Sequence, residues 1–228
     1  MSGTFRALIV EHERPSPAGF LYDWLAEHGA DVDELRIDVE DREVDPSDYG
    51  LIVSLGSEHP PYADHIPWIP RELGLLREAQ DADVPVLGIC FGGQLLARAL
   101  GSRCFRASAS EIGWVPVRSS DHALVPEGPW FQWHFDTFEP PPGARLVATT
   151  DVGPQAFVAG RSLGLQFHPE VTTAIMEDWV RVYRHELDDE GVDPDAVLTE
   201  TYERDESARA ASRLLLDAFL ERVARVEG

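Results

Sequence analysis

Cys90 is the residue whose setting most invites chemistry. It lies in Gly88-Ile89-Cys90-Phe91-Gly92-Gly93-Gln94, after the apolar run 85–89 and before a run of good helix formers, 95–100. A cysteine where a buried strand turns sharply into a helix is the thiol form of the nucleophile elbow, Gly-x-Cys-x-Gly in place of Gly-x-Ser-x-Gly. Such a turn is strained, and side chains at 88 and 92 would collide with neighbouring backbone, which accounts for the glycines. The N-terminus of the following helix favours a thiolate, the reactive species. The N–H of Phe91 is then placed to donate to the oxyanion formed when that thiolate attacks a carbonyl. Taken alone, the motif also fits a buried structural cysteine.

A second group completes the chemistry. A strand-like segment ends in Gln166-Phe167-His168-Pro169-Glu170. In extended chain, residues two apart point to the same side, and Pro169 holds His168 in the extended region. Glu170 can then orient the imidazole while His168 takes the Cys90 proton, which is the division of labour of a nucleophile, base and orienter. A third piece is the strand end Val53-Ser54-Leu55-Gly56-Ser57-Glu58. Its Gly56 N–H is a candidate second oxyanion donor, although most strand-ending glycines only make turns.

These pieces need a scaffold that gathers strand ends. Segments 5–10, 35–39, 50–54 and 85–89 read as short apolar strands, and 19–28 and 71–80 as helices between them. Strands alternating with helices imply an α/β fold with a mostly parallel central sheet flanked by helices. From 104 to 169 the texture changes to successive strands (114–118, 130–138, 145–150, 156–159, 163–167) separated by Pro/Gly turns. Helix returns after Thr172. The acidic stretch 186–206 reads as a solvated connection and 207–226 as a C-terminal helix. The expected organisation is therefore one domain over 1–185, with residues 186–228 packing back on it.

Composition removes several function classes. The chain has 228 residues, 43% hydrophobic and 26% charged, with a net charge of −22. That charge argues against nucleic acid and anionic membrane surfaces, both of which require local basic excess. All 19 basic residues are arginine, so no lysine Schiff base or P-loop lysine is available. Cys90 and Cys104 make neither a disulfide framework nor a zinc-type pair. His12, His28, His59, His65, His122 and His185 are scattered without ligand spacing, so no metal or cofactor is expected. With no signal-like start and no apolar run near the ~20 residues of a membrane helix, a cytoplasmic location is expected.

The three site-bearing segments, in this order, resemble the class I glutamine amidotransferases, and most of all the glutaminase domain of GMP synthase and its free-standing relatives. Gly88 to Gln94 matches the family's G-x-C-x-G-x-Q motif and His168 to Glu170 its H-P-E motif. The resemblance implies a flavodoxin-like fold, a Cys90–His168–Glu170 triad, an oxyanion hole from Gly56 and Phe91, and a substrate contact from Gln94. Glu111-Ile112-Gly113-Trp114 and Trp133-His134-Phe135-Asp136 also resemble segments of this subgroup, the latter beside the glutamine pocket, which makes His134 and Asp136 further substrate-binding candidates. There are departures. The family's Gly-Gly-Pro loop is Leu55-Gly56-Ser57 here, and Trp133 and Phe135 replace small residues. Each of those aromatics fits core packing as well as substrate contact. The expected substrate is glutamine, with ammonia passed to a separate synthetase, since this chain has no room for one. A larger γ-glutamyl amine or peptide, hydrolysed by the same triad, is the alternative. A non-catalytic regulatory module is the third reading.

Overall fold

The computed structural model describes residues 5–13 and 15–226. In chain order these form β1 (Arg6–Glu11), α1 (Phe20–Glu27), β2 (Asp31–Arg36), β3 (Leu51–Ser54), α2 (Trp68–Asp81), β4 (Val86–Ile89) and α3 (Phe91–Ala99). Then come β5 (Cys104–Val115), β6 (Arg118–Ser119), β7 (Trp130–Phe138), β8 (Arg145–Thr149), β9 (Pro154–Ala159) and β10 (Ser162–Leu165). Three helices follow: α4 (Thr173–Val182), α5 (Arg184–Glu190) and α6 (Pro194–Phe219).

Strand texture sets the layering. In β1, Ala7 and Ile9 pack with one apolar cluster, while Leu8 and Val10 pack with another on the opposite face. A strand covered on both faces reads as a continuous apolar run, as 7–10, 51–53 and 86–89 do. The main sheet is 8-stranded, in the order β2-β1-β3-β4-β10-β9-β8-β6. From β2 to β10 the pairings are parallel, and from β10 to β6 they are antiparallel. The core residues of α1 and α6 (Leu21, Trp24, Leu215, Phe219) cover one face, and those of α2 and α3 (Leu73, Leu76, Leu95, Leu96) the other. Complete burial of each such side chain stabilises by ~1.5–3 kcal/mol. A separate 2-stranded ribbon of β5 and β7 packs Phe131 and Trp133 against Met176, Trp179 and Leu187 of α4 and α5.

Three expectations change. The strand expected at 114–118 is the end of a longer one, β5, which starts at Cys104 because it pairs with the whole length of β7. The second strand is Asp31–Arg36, earlier than 35–39, because it pairs in register with all of β1. Residues 186–206 are no solvated connection; they belong to α5 and α6. Their few apolar positions, Leu187 of α5 and Val197 of α6 with Val192 and Leu198 beside them, join one buried cluster, and acidic residues on the wet side are partly paired at helical spacing, as in Arg204–Glu200. Asp193 caps α6 by accepting from Asp195 N–H, and Pro194 sits at its first turn, where a missing N–H costs nothing.

Candidate active site

β3, β4 and β10 are parallel neighbours, so their C-terminal ends open on one edge of the sheet. Ligands of open α/β sheets bind in the crevice outside such strand ends. Gly56, Cys90 and His168 each follow one of these strands, and all three line a single cleft.

Cys90 occupies the N-cap position of α3 with φ 52° and ψ −109°, a conformation that β-carbon-bearing residues rarely adopt. Strain of this kind costs ~1–3 kcal/mol and persists only where packing enforces it. The packing is close: a β-carbon on Gly88 would lie 2.6 Å from the Gly92 carbonyl oxygen, and one on Gly92 only 2.1 Å from that of Ser54. The Cys90 Sγ lies in the cleft, with Gln166 Nε2 at 3.8 Å and the Trp133 carbonyl oxygen at 3.9 Å. Phe91 opens α3, so its N–H has no acceptor within the helix.

His168 Nδ1 donates to Glu170 Oε1 at 2.7 Å, and both side chains are buried. The spacing anticipated from Pro169 therefore places both groups together. Burial opposes charge on the imidazole, but the Glu170 carboxylate and a Cys90 thiolate outweigh it and raise the His168 pKa to about 10. His168 therefore favours its imidazolium form. His168 Nε2 has no hydrogen-bond partner among the described residues and so remains open to a reacting group. A β-carbon at Gly56 would lie 3.3 Å from His168 Cε1 and 3.8 Å from Cys90 Cβ, so that position abuts both residues.

The remaining candidates line the same cleft. Gln94 Nε2 donates to the Asp136 carbonyl oxygen (3.0 Å) and to Gln166 Oε1 (3.1 Å), which leaves its own oxygen for a ligand. His134 Nδ1 donates to the Asp136 carbonyl oxygen at 3.1 Å, and its Nε2 stands 3.2 Å from Glu111 Oε2. Asp136 Oδ1 accepts from the Tyr62 hydroxyl at 2.9 Å. Trp133 is both wall and core: it packs edge-on against Trp179, and its Nε1 donates to Glu186 Oε2 at 2.6 Å.

Sequence reading missed four contributors. Tyr183, between α4 and α5, and Glu186, in the acidic segment, complete the cleft wall. His12 and Glu72 form a buried pair directly behind Gly56. Neither carries a local motif; only their distance to the site in space reveals them. Among the described residues, no group of three or more His, Cys, Asp or Glu could hold a metal ion, and no helix is long and apolar enough to cross a membrane.

Known proteins share the sequence and fold of much of this chain. The family model "Glutamine amidotransferase class-I" matches residues 19–179. GMP synthase [glutamine-hydrolyzing] of Thermus thermophilus is 45% identical over 96 residues, 39% of this chain and 19% of that protein. The Burkholderia mallei GMP synthase is 32% identical over 182 residues, 72% of this chain and 31% of its own. The chain thus spans less than a third of the length of these curated relatives. A crystal structure of a glutamine amidotransferase from Thermotoga maritima superposes with a TM-score of 0.85 at 32% identity, covering 95% of this chain and 98% of that one. One from Methylobacillus flagellatus gives 0.87 at 25% identity, over 95% and 94%. The matched segment runs from the start of α1 through β10 and the His168-Pro169-Glu170 turn into α4, and on that ground the chain belongs to the class I glutamine amidotransferase family.

Proposed function

We propose that this protein hydrolyses the side-chain amide of glutamine through a γ-glutamyl thioester on Cys90. The observation that carries the reading is the 2.7 Å His168–Glu170 hydrogen bond beside a cysteine held on a positive-φ elbow. The Cys90 thiolate attacks the amide carbon, and the oxygen takes the negative charge between the N–H groups of Gly56 and Phe91. His168 gives its proton to the departing nitrogen, which leaves as ammonia. It then removes a proton from water, which attacks the thioester and releases glutamate and the Cys90 thiolate. Glu170 keeps the imidazole in one tautomer and supports its charge. Gln94, His134 and Asp136 hold the glutamyl portion. The ammonia passes to a separate synthetase, in keeping with relatives named as GMP synthases of which this chain spans less than a third.

A second reading is favoured by the cleft wall beyond Cys90. That wall includes Trp133, Tyr183 and Glu186, side chains suited to contact a leaving group larger than ammonia. One experiment separates the two. Purified protein is given glutamine and a panel of γ-glutamyl amines, and ammonia and amine release are followed alongside a Cys90→Ala control. Ammonia release at the highest kcat/KM supports the first reading, and faster release of a larger amine supports the second. Release from neither, or equal release by the control, refutes both.

A further inference from the structure

We infer that His12, clamped between Glu72 and the Gly56 carbonyl, is a positioning residue that holds the oxyanion loop in its working conformation. The inference rests on the proposed amide hydrolysis. His12 follows β1, and its side chain is fully buried, as is that of Glu72 on α2. His12 Nδ1 donates to the Gly56 carbonyl oxygen at 2.9 Å, and its Nε2 meets Glu72 Oε2 at 2.7 Å. Glu72 Oε1 in turn accepts from the Ser54 hydroxyl at 2.7 Å. The ring stacks on Trp68 (4.9 Å, 27°) and stands edge-on to Phe91 (4.9 Å, 67°). One imidazole therefore touches both residues proposed to supply the oxyanion amides.

The geometry explains why such a clamp is needed. The Gly56 N–H lies in the Leu55–Gly56 peptide plane, and the Gly56–Ser57 plane that follows can turn about a glycine with little intrinsic preference among conformations, so the loop keeps one shape only if both planes are held. The Leu55 carbonyl is held by the Gly92 N–H (3.0 Å), and the Gly56 carbonyl by His12. Each plane thus has one anchor. Burying an ionisable pair against aromatic rings is a poor way to gain stability, because desolvation offsets most of the attraction. An apolar pair would fill the same space but supply no directed donor. Burial opposes charge on His12, while Glu72, through its charge and its hydrogen bond, outweighs it and favours the imidazolium, so both ring nitrogens donate.

The test uses His12→Asn, His12→Gln and His12→Phe. The asparagine amide falls near the place of Nδ1 and keeps a donor for Gly56; the longer glutamine amide reaches toward Glu72 and loses it. Expected is a drop in kcat of ~10–100-fold for His12→Gln and His12→Phe, below the ~10²–10³ of deleting an oxyanion donor outright. KM should change less than about threefold, because only a transition-state contact is lost, and His12→Asn should recover most of kcat. Reaction of Cys90 with iodoacetamide, which develops no oxyanion, stays at the wild-type rate, while a chloroketone analogue of glutamine reacts more slowly. Equal kcat for the asparagine and glutamine variants, a loss confined to KM, or equal slowing toward both electrophiles overturns the inference while leaving the hydrolysis intact. A wild-type protein that releases nothing from any γ-glutamyl amide refutes the functional reading and this inference with it.

Discussion

Gly92→Ala tests whether the distance between α3 and the end of β3 governs the reaction. A β-carbon at this position would lie 2.1 Å from the Ser54 carbonyl oxygen, 2.4 Å from its Oγ and 2.5 Å from its carbonyl carbon. Backbone rather than a flexible side-chain tip is in the way, so the helix start and the strand end must part by about 1 Å to reach ordinary contact. The Gly92 N–H to Leu55 carbonyl bond crosses the same gap and lengthens with it. Phe91 lies on one side of that gap and Gly56 on the other. Their two amides, if both serve one oxyanion, must each lie ~2.7–3.1 Å from it, so the parting removes one donor. The expected result is a kcat for glutamine lower by ~10²–10³, with KM little changed. Overpacking should also destabilise by ~1–3 kcal/mol. The assay is steady-state ammonia release with a melting curve for each variant. A kcat within about twofold of wild type, or a fall in Tm without a fall in kcat, would falsify the account of the elbow.

Four further outcomes are expected. Glu170→Gln removes the carboxylate that, with a Cys90 thiolate, outweighs burial and lifts the His168 pKa to about 10. The alkaline limb of the kcat/KM profile should therefore move to lower pH, and kcat should fall ~10²–10⁴-fold; an unmoved limb contradicts the assignment. The same raised pKa carries a sign for stability: the contribution of the His168 proton is complete below the unfolded value of about 6.5 and is lost as pH rises toward 10. Denaturant titrations of wild type across that range should show the decline, and those of Glu170→Gln less of it. Iodoacetamide at pH 8 should label Cys90 and spare Cys104, whose thiol burial pushes up to about 12; comparable labelling of both on peptide mapping speaks against an activated Cys90. Gly74 lies inside α2 with nothing within 4 Å of an added β-carbon, so Gly74→Ala should stabilise. The gain is ~0.5–1 kcal/mol, read as a Tm higher by ~1–4 °C with unchanged kcat.

What was legible in advance was whatever a short stretch of chain encodes. The elbow reads from the spacing of Gly88, Cys90 and Gly92, because strain and close approach leave a mark within a few residues. The pairing of His168 with Glu170 reads from the intervening proline, which fixes direction locally. The apolar runs 7–10, 51–53 and 86–89 announce strands covered on both sides, and with them a parallel sheet.

Other features depend on the assembled fold. Residues 186–206 show too few apolar positions to announce a helix, yet one buried cluster with α4 and β5 suffices once those elements are in place. Gly19 looks like an ordinary helix start; in the structure a β-carbon there would lie 2.3 Å from the Glu170 carbonyl oxygen, which accepts from Phe20 N–H at 3.0 Å. His12 and Glu72 are 60 residues apart and Glu111 and Gln155 44, and each pair shares a buried hydrogen bond. The sequence by itself determined which residues are chemically suited to act and which local turns present them. Only the tertiary structure decided that β10 docks beside β4, and so that His168 reaches Cys90 while His12 stands behind Gly56. Contacts between distant segments depend on how strands are ordered in the sheet, and that order leaves no periodic or compositional trace along the chain.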